Sequence, residues 1–143
     1  VETFSTPPEK MCKVGNGIGI GNRVMNGIIV FDMDDIRTIR QGEEPGQNII
    51  LVRPDTVPDD IELIIECDGL MTARGGATSH AAVTAASLGK TCVVNCDAMV
   101  VQEKNKCCTI NGEEFHLFDK IAIDGRNGMI YKGNYPVVLD EIN

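Results

Sequence analysis

One histidine stands in a setting suited to phosphoryl transfer. His80 follows the pair Gly75-Gly76, and Thr78 or Ser79 can cap a helix that begins beside it. Free backbone N–H groups at a helix start, together with the helix dipole, form an anion site. The same positive helix end disfavours the imidazolium form, so the ring tends to stay neutral and nucleophilic. The spacing therefore predicts a nucleophilic histidine held in a cradle for phosphate.

Two further features surround His80. Arg74 stands just before the glycines and can add a bidentate contact to phosphate. His80, Thr84 and Ser87 recur at i, i+4 and i+7, so they share one helix face, while alanines allow the rest to pack closely on a sheet. Taken alone, a histidine at a helix start is more often a neighbour of the cap than a nucleophile. We assign His80 as catalytic and the following residues to phosphate binding: Arg74, Gly75, Gly76, Thr78 and Ser79.

The composition excludes several classes of protein. The 143 residues correspond to one domain, with a net charge of −8, an isoelectric point near 4.7 and 4% aromatic residues. A nucleic-acid partner would need a cluster of Lys and Arg, and none occurs in the sequence. The same lack argues against an anionic membrane surface, and the apolar runs are too short to cross a bilayer. We expect no nucleic-acid partner and no membrane association.

Six cysteines leave two interpretations open. Cys92, Cys96, Cys107, Cys108 and His116 could form a metal site, although the paired C-x-x-C pattern of structural zinc sites is missing. The alternative, which we favour, is that the cysteines are reduced and partly buried and act as small hydrophobic residues. No pattern of secretion accompanies them. We therefore expect a cytoplasmic protein with no metal bound by this domain.

The glycine-rich stretch at residues 15–21 invites comparison with a dinucleotide-binding loop. It fails the G-x-G-x-x-G pattern in every register, because the third glycine falls on Ile20, Asn22 or Val24. A strand or turn punctuated by glycine is the better interpretation.

Apolar patterning and turn signals predict a mixed α/β domain over residues 14–133, flanked by linkers at 1–13 and 134–143. Strands are expected at 24–31, 49–52, 70–73 and 92–94, and helices at 34–41, from a Thr56 cap onward, and at 79–88. The remaining chain is β-rich, with hairpins at 108–117 and 121–131. The Asn111-Gly112 turn of the first is the strongest short hairpin signal.

The segment from Gly75 to Val83 closely resembles the signature of the mobile domain shared by pyruvate phosphate dikinase, phosphoenolpyruvate synthase and enzyme I of the sugar phosphotransferase system. The stretches 51–61 and 121–128 resemble the flanking segments of that domain. Within the family, the segment from Thr72 to Gly76 and the pair Ala81-Ala82 look closest to the dikinase.

The resemblance implies a three-layer swivelling β/β/α phosphohistidine domain, which shuttles between two remote active sites. An ATP-grasp-like domain with magnesium and ATP would phosphorylate His80, and a TIM-barrel domain would exchange the group with pyruvate or phosphoenolpyruvate. These partners are expected in the same polypeptide, so this fragment of a phosphotransferase should not turn over alone. By the same resemblance, Thr78 matches a threonine that a regulatory protein phosphorylates in plant dikinases, although a simple capping role is the alternative.

Two departures from the family pattern keep other interpretations open. Family members usually carry an apolar residue in place of Thr84 and an arginine in place of Ala86. The rivals are an enzyme I-type carrier, which would need a helical docking insertion, and a non-catalytic interaction module that keeps the fold. A zinc-binding module would depend on the cysteines alone.

Overall fold

The computed structural model describes residues 2–4, 10–21, 23–42, 48–55, 61–74, 80–133, 135 and 137–139. Four of the predicted site residues therefore lie outside the described residues: Gly75, Gly76, Thr78 and Ser79. So does the Thr56 cap predicted for the second helix, as well as the side chain of His80, whose backbone is described.

The described residues form thirteen strands and three α-helices. The helices are α1 Met33–Arg40, α2 Ile61–Glu66 and α3 His80–Ser87, and Glu103–Asn105 is a short 3-10 turn. The strands are β1 Glu2–Phe4, β2 Cys12–Asn16, β3 Ile18–Ile20, β4 Val24–Val30, β5 Ile49–Arg53, β6 Gly69–Thr72, β7 Thr91–Val94, β8 Met99–Gln102, β9 Cys107–Ile110, β10 Glu113–His116, β11 Lys120–Asp124, β12 Met129–Lys132 and β13 Val137–Leu139.

An eight-stranded mixed sheet forms the centre of the domain, in the order β2-β12-β11-β4-β5-β6-β7-β3. The strands β4 to β7 are parallel and adjacent, and α1, α2 and α3 connect them in turn. Right-handed crossovers between sequential parallel strands put all three helices on one face of the sheet. The carboxyl ends of β4, β5, β6 and β7 meet at one edge, which we call the carboxyl edge.

Alternate residues of the central strands face two different cores. On β5, Ile49 and Leu51 pack against the helices, whereas Ile50 and Val52 face a second sheet formed by β8, β9 and β10. That sheet contributes Cys108 and other side chains to its core. The domain is therefore a three-layer β/β/α structure, which confirms the predicted fold class. The near-continuous apolar sequence of β5 is what a strand buried on both faces requires.

The first helix begins with a reciprocal capping arrangement. The side chain of Asp32 accepts a hydrogen bond from the backbone N of Asp35 at 3.0 Å, and Asp35 Oδ2 accepts from the backbone N of Asp32 at 3.1 Å. Two backbone donors that the helix itself leaves unpaired are thus satisfied. The predicted helix at 34–41 is confirmed, with both its start and its end one residue earlier.

The Asn111-Gly112 hairpin is also confirmed. Asn111 and Gly112 have φ values of 50° and 85°, as the commonest two-residue hairpin turn requires. The turn pairs β9 with β10 in antiparallel register, and β8 adds to the other side of β9.

The glycine-rich stretch forms two short strands rather than a nucleotide loop. β2 and β3 lie at opposite ends of the strand order, with Gly17 between them. The backbone N of Gly17 donates to the carbonyl oxygen of Gly128 at 2.8 Å. A Cβ atom at Gly19 would lie 2.5 Å from the oxygen of Gly125 and 2.6 Å from the nitrogen of Gly128. Glycine is needed here because two backbone segments meet closely.

Parts of both predicted linkers carry strands. β1 pairs with β13 in antiparallel register, and the rings of Phe4 and Tyr135 make edge-to-face contacts with Tyr131 at centroid distances of 5.9 Å and 6.1 Å. The short flanking segments gave no strand signal in the sequence because each pairs with a partner more than 130 residues away. The domain boundaries at 14 and 133 remain a prediction.

Among the described residues, no helix combines the length and apolar character that crossing a bilayer requires.

Candidate functional site

Helix α3 begins at His80, just beyond the carboxyl end of β6. Ala82 and Ala85 are fully buried against the helix-side core, as the predicted packing of small alanines requires. Position 80 lies on the opposite side of the helix from these two alanines, since successive residues turn by about 100°. The predicted helix at 79–88 is confirmed to within about one residue at each end. The start of α3 therefore lies at the carboxyl edge, where open α/β sheets usually bind ligands.

The rest of the predicted polar stripe is only partly exposed. Ser87 and Ala86 are exposed, but Thr84 is half-buried. Val83 and Leu88, by contrast, expose 53% and 47% of their surface. The outer side of α3 is thus less polar than the sequence spacing predicted.

The chain leaves β6 through a tightly bonded turn. The buried hydroxyl of Thr72 donates to the carbonyl oxygen of Arg74 at 2.6 Å. The backbone N of Arg74 donates to the oxygen of Pro54 at 2.9 Å, and the oxygen of Thr72 accepts from the backbone N of Cys96 at 2.9 Å. The segments that follow β5 and β7 therefore both contact the exit of β6, which leads toward His80.

Arg74 is exposed at this exit, as a phosphate ligand would need to be. It lines an open cavity of about 350 Å³ together with Ala73, Asp97 and Val100, among others. Val100 is 59% exposed and lies on β8, one of the two edge strands of the smaller sheet. Of the residues assigned to phosphate binding, Arg74 is the one that the described part of the chain includes.

Ion pairs hold the smaller sheet onto the carboxyl edge. Arg53 lies at the end of β5, directly opposite Thr72 on the neighbouring strand β6. Its side chain forms an ion pair with Glu103 of the 3-10 turn. Lys106 ends that turn and pairs with both Asp32 and Asp35, at 2.9 Å from Asp35 Oδ2. Lys106 adopts a φ of 54°, a left-handed conformation that costs a non-glycine residue about 1–2 kcal/mol. The pairing with two carboxylates offsets that cost.

The pKa values within this cluster follow from the contacts. Burial tends to raise the pKa of Asp32, but hydrogen bonds from Lys106 and from the backbone of Asp35 outweigh it and hold the pKa below its ordinary value. Burial tends to lower the pKa of Lys106, and the hydrogen bonds to both aspartates outweigh it, so that pKa is raised. Both shifts favour the charged pair at neutral pH.

His116, the second histidine of the chain, has surroundings unsuited to an anion. It lies on β10, with Nε2 at 3.0 Å from Glu114 Oε1 and Nδ1 at 3.8 Å from Asp119 Oδ2. Carboxylates on both sides would repel a phosphoryl group. This agrees with the choice of His80 as the nucleophile.

The cysteines divide between the two cores. Cys67 and Cys92 are buried on the helix side of the large sheet, whereas Cys96 and Cys108 are buried between the two sheets. Cys92 therefore cannot share a metal ion with Cys96 and Cys108, as the candidate zinc site would require. The described residues include no group of three or more His, Cys, Asp or Glu side chains placed to hold a metal. That the domain binds no metal remains a prediction, which metal analysis of the purified protein would test.

Sequence reasoning missed four residues that shape this edge: Thr72, Arg53, Glu103 and Lys106. Thr72 appeared only as part of the family segment, and Arg53 only as part of a flanking match. The partners of the last two are about 50 and 70 residues away in the chain, so no local pattern predicts them.

A central sheet with helices on one face and a smaller sheet on the other defines a three-layer β/β/α domain, with α3 starting at a histidine on its carboxyl edge. Residues 45–128 match the family described as PEP-utilising enzyme, mobile domain. The chain belongs to this family of mobile domains of phosphoenolpyruvate-utilising enzymes.

Curated relatives agree with this assignment. The chain is similar to pyruvate, phosphate dikinase of Entamoeba histolytica, with 40% identity over 111 residues, which is 78% of this chain and 12% of that protein. Dikinases of Clostridium symbiosum and Giardia intestinalis are 36% and 38% identical over 85% and 89% of the chain, in each case 14% of the relative. The chain thus spans only a small part of the length of these relatives.

Proposed function

We propose that this domain is the phosphoryl carrier of a phosphotransferase related to pyruvate, phosphate dikinase, with His80 as the group that is phosphorylated. The observation that carries the proposal is the start of α3 at His80, on the carboxyl edge and within the segment that matches the family. The exposed Arg74 at the exit of β6 supports it. Gly75, Gly76, Thr78 and Ser79 are proposed to supply the backbone and hydroxyl donors of the cradle.

The transfer step is a displacement at phosphorus. With phosphoenolpyruvate as donor, the bond from phosphorus to the enol oxygen breaks and a bond to an imidazole nitrogen of His80 forms. The enolate then takes up a proton to give pyruvate. In the opposite half-reaction, a nucleotide would supply the group. Magnesium and ATP would be bound by other domains.

The role of this domain in the step is positioning and electrostatics, since phosphoryl transfer needs little other help from a protein. Arg74 would balance charge on the phosphoryl oxygens, and the neutral ring would attack. The partners are proposed to be an ATP-grasp-like domain and a TIM-barrel domain in the same polypeptide. The relatives' much greater length leaves room for both.

A non-catalytic interaction module is the alternative that a specific observation favours. The helix layer exposes Val83 and Leu88 on α3 and Ile65 on α2, and Ala86 removes the cation usual in the family. An enzyme I-type carrier is less well supported. Within the described ranges the α-helices have six to eight residues each, and no helical docking insertion occurs.

In the test, the chain is mixed with a dikinase whose own carrier histidine has been replaced, which we call the helper dikinase. Magnesium and ³²P-labelled phosphoenolpyruvate are then added. We expect acid-labile label on this chain. Arg74→Ala should slow labelling by about 10- to 100-fold without abolishing it, because it removes charge stabilisation and leaves the nucleophile. Absence of label, with the helper enzyme shown to be active on an unmodified carrier domain, would favour the interaction module.

A further inference from the structure

The hydroxyl of Thr72 is one of the few polar side chains that the fold buries. Thr72 exposes 2% of its surface, at the last position of β6. A buried hydroxyl needs a hydrogen-bond partner, because an unpaired one costs free energy. Its partner is the carbonyl oxygen of Arg74, two residues further along the chain, at 2.6 Å.

This bond fixes the peptide unit through which the chain leaves Arg74. The backbone that precedes this carbonyl is already held: Ala73 N donates to the oxygen of Arg53 at 3.2 Å, and Arg74 N donates to the oxygen of Pro54 at 2.9 Å. These bonds hold the N–H groups of Ala73 and Arg74 and do not involve the carbonyl of Arg74. The hydroxyl of Thr72 holds that carbonyl.

We infer that Thr72 is a positioning residue for phosphoryl transfer, acting through the backbone of Arg74. The inference rests on the proposed function and deepens it. The carbonyl that Thr72 holds belongs to Arg74, the residue from which the chain departs toward His80. A rotated carbonyl group would displace the chain that leads from Arg74 to the nucleophile. Displacements of about 1 Å can cost a factor of about 100 in rate.

Thr91 provides a matched control. It is also a buried threonine, exposing 4% of its surface, but it begins β7 at the opposite end of the parallel strands. A Thr→Val change at either position removes one buried hydroxyl and keeps the shape of the side chain. The two variants therefore carry the same substitution at buried positions that lie at different distances from the proposed site.

The test measures labelling of the chain by the helper dikinase at varied chain concentration, well below the melting temperature of every variant. Thr72→Val should lower kcat about 10- to 100-fold with KM for the chain nearly unchanged, since docking is intact and alignment is not. Thr91→Val should keep both parameters. Thr72→Ser should keep the rate of the unsubstituted chain, although loss of a buried methyl lowers its melting temperature.

The Thr72→Ser result decides the matter even if Thr72→Val does not fold. If the serine variant loses rate in proportion to its loss of stability, the hydroxyl has no positioning role. Unchanged kcat in a folded Thr72→Val, or an equal loss in Thr91→Val, would also overturn the inference. If the unsubstituted chain takes no label at all, the proposed function fails and this inference fails with it. If the unsubstituted chain is labelled, the proposed function holds, and the variants then test the role of Thr72 by itself.

Discussion

The Nζ atom of Lys106 lies 2.9 Å from Oδ2 of Asp35, although the two residues are 71 positions apart in the chain. Asp35 is buried, and the same Oδ2 also accepts a hydrogen bond from the backbone N of Phe31 at 2.9 Å. Lys106 ends the turn that joins β8 and β9 of the smaller sheet, and Asp35 lies at the start of α1. The pair therefore joins the two outer layers across the carboxyl edge of the central sheet.

Replacement of Lys106 should destabilise the domain. Lys106→Met leaves the buried carboxylate of Asp35 without its cation, which should lower the free energy of unfolding by about 1–3 kcal/mol. Urea titration would measure the change. Lys132→Met is the control, since Lys132 forms an exposed pair with Glu113 and its loss should leave the unfolding midpoint unchanged. If both variants changed the free energy of unfolding equally, the Lys106 contacts would contribute no more to stability than an exposed ion pair.

The same cluster predicts a pH dependence. The pKa of Asp32 is lowered in the folded state, so its contribution to stability is full above its ordinary pKa near 3.8 and is lost as the pH falls through the folded value. The pKa of Lys106 is raised, so its contribution is full below about 10.5 and is lost only at more alkaline pH. Stability measured by urea titration should therefore fall below about pH 4.

Lys106→Met serves as the control for that pH dependence. Without the cation, the pKa of Asp32 loses its main support, so the decline in stability between pH 5 and about pH 2 should be shallower. An equally steep decline in this variant would contradict the assignment of the effect to the Lys106 contacts.

The two cores illustrate what the sequence could and could not predict. The apolar run at 49–52 and the Asn111-Gly112 turn are local signals, and each predicted its element correctly. The stretch at 15–21 predicted only a strand or turn, because β2 and β3 pair with strands far away in the chain, and β8 was not predicted. The contacts of Lys106 were not predictable for the same reason, because its partner Asp35 is 71 residues away in the chain.

The candidate site shows a similar division. The Gly75-Gly76 pair and the helix start predicted where a phosphorylated histidine would lie, and α3 does begin at His80. Nothing in the sequence assigned a role to Thr72, because a threonine at the end of a strand is common. Its importance depends on burial and on a carbonyl two residues away. The half-burial of Thr84 was likewise not predictable, since it depends on how α3 packs.

Gly19 should tolerate no side chain. In Gly19→Ala the new Cβ would lie 2.5 Å from the oxygen of Gly125, whose own backbone N donates to the oxygen of Arg23 at 2.7 Å. We expect a loss of about 2–3 kcal/mol in the free energy of unfolding. Gly42→Ala, at an exposed turn after α1, should cost less, because its new Cβ would lie no closer than 3.1 Å to the nearest backbone atom, the oxygen of Thr38. Denaturant unfolding of the two variants would compare them, and similar stabilities would contradict the close approach at Gly19.

Thiol reactivity should separate the exposed cysteine from the buried ones. Burial raises the pKa of Cys67, Cys92, Cys96 and Cys108 to about 12 in each case, so few thiolates form at pH 8. Cys12 is exposed. In the native protein Cys12 should react rapidly with a disulfide reagent, and these four should react only after unfolding in guanidinium. Cys12→Ser should remove the rapid phase. Rapid labelling of Cys96 or Cys108 in the native state, located by mass spectrometry, would contradict the packing described between the sheets.

The location of the label tests the central claim most directly. With the helper dikinase and ³²P-labelled phosphoenolpyruvate, the unsubstituted chain and His116→Asn should take up acid-labile label equally, because His116 lies between two carboxylates. His80→Asn should take up none while keeping its circular dichroism spectrum and melting temperature, since asparagine is tolerated at a helix start. Undiminished acid-labile label in His80→Asn would contradict the account and place the phosphorylated group elsewhere in the chain.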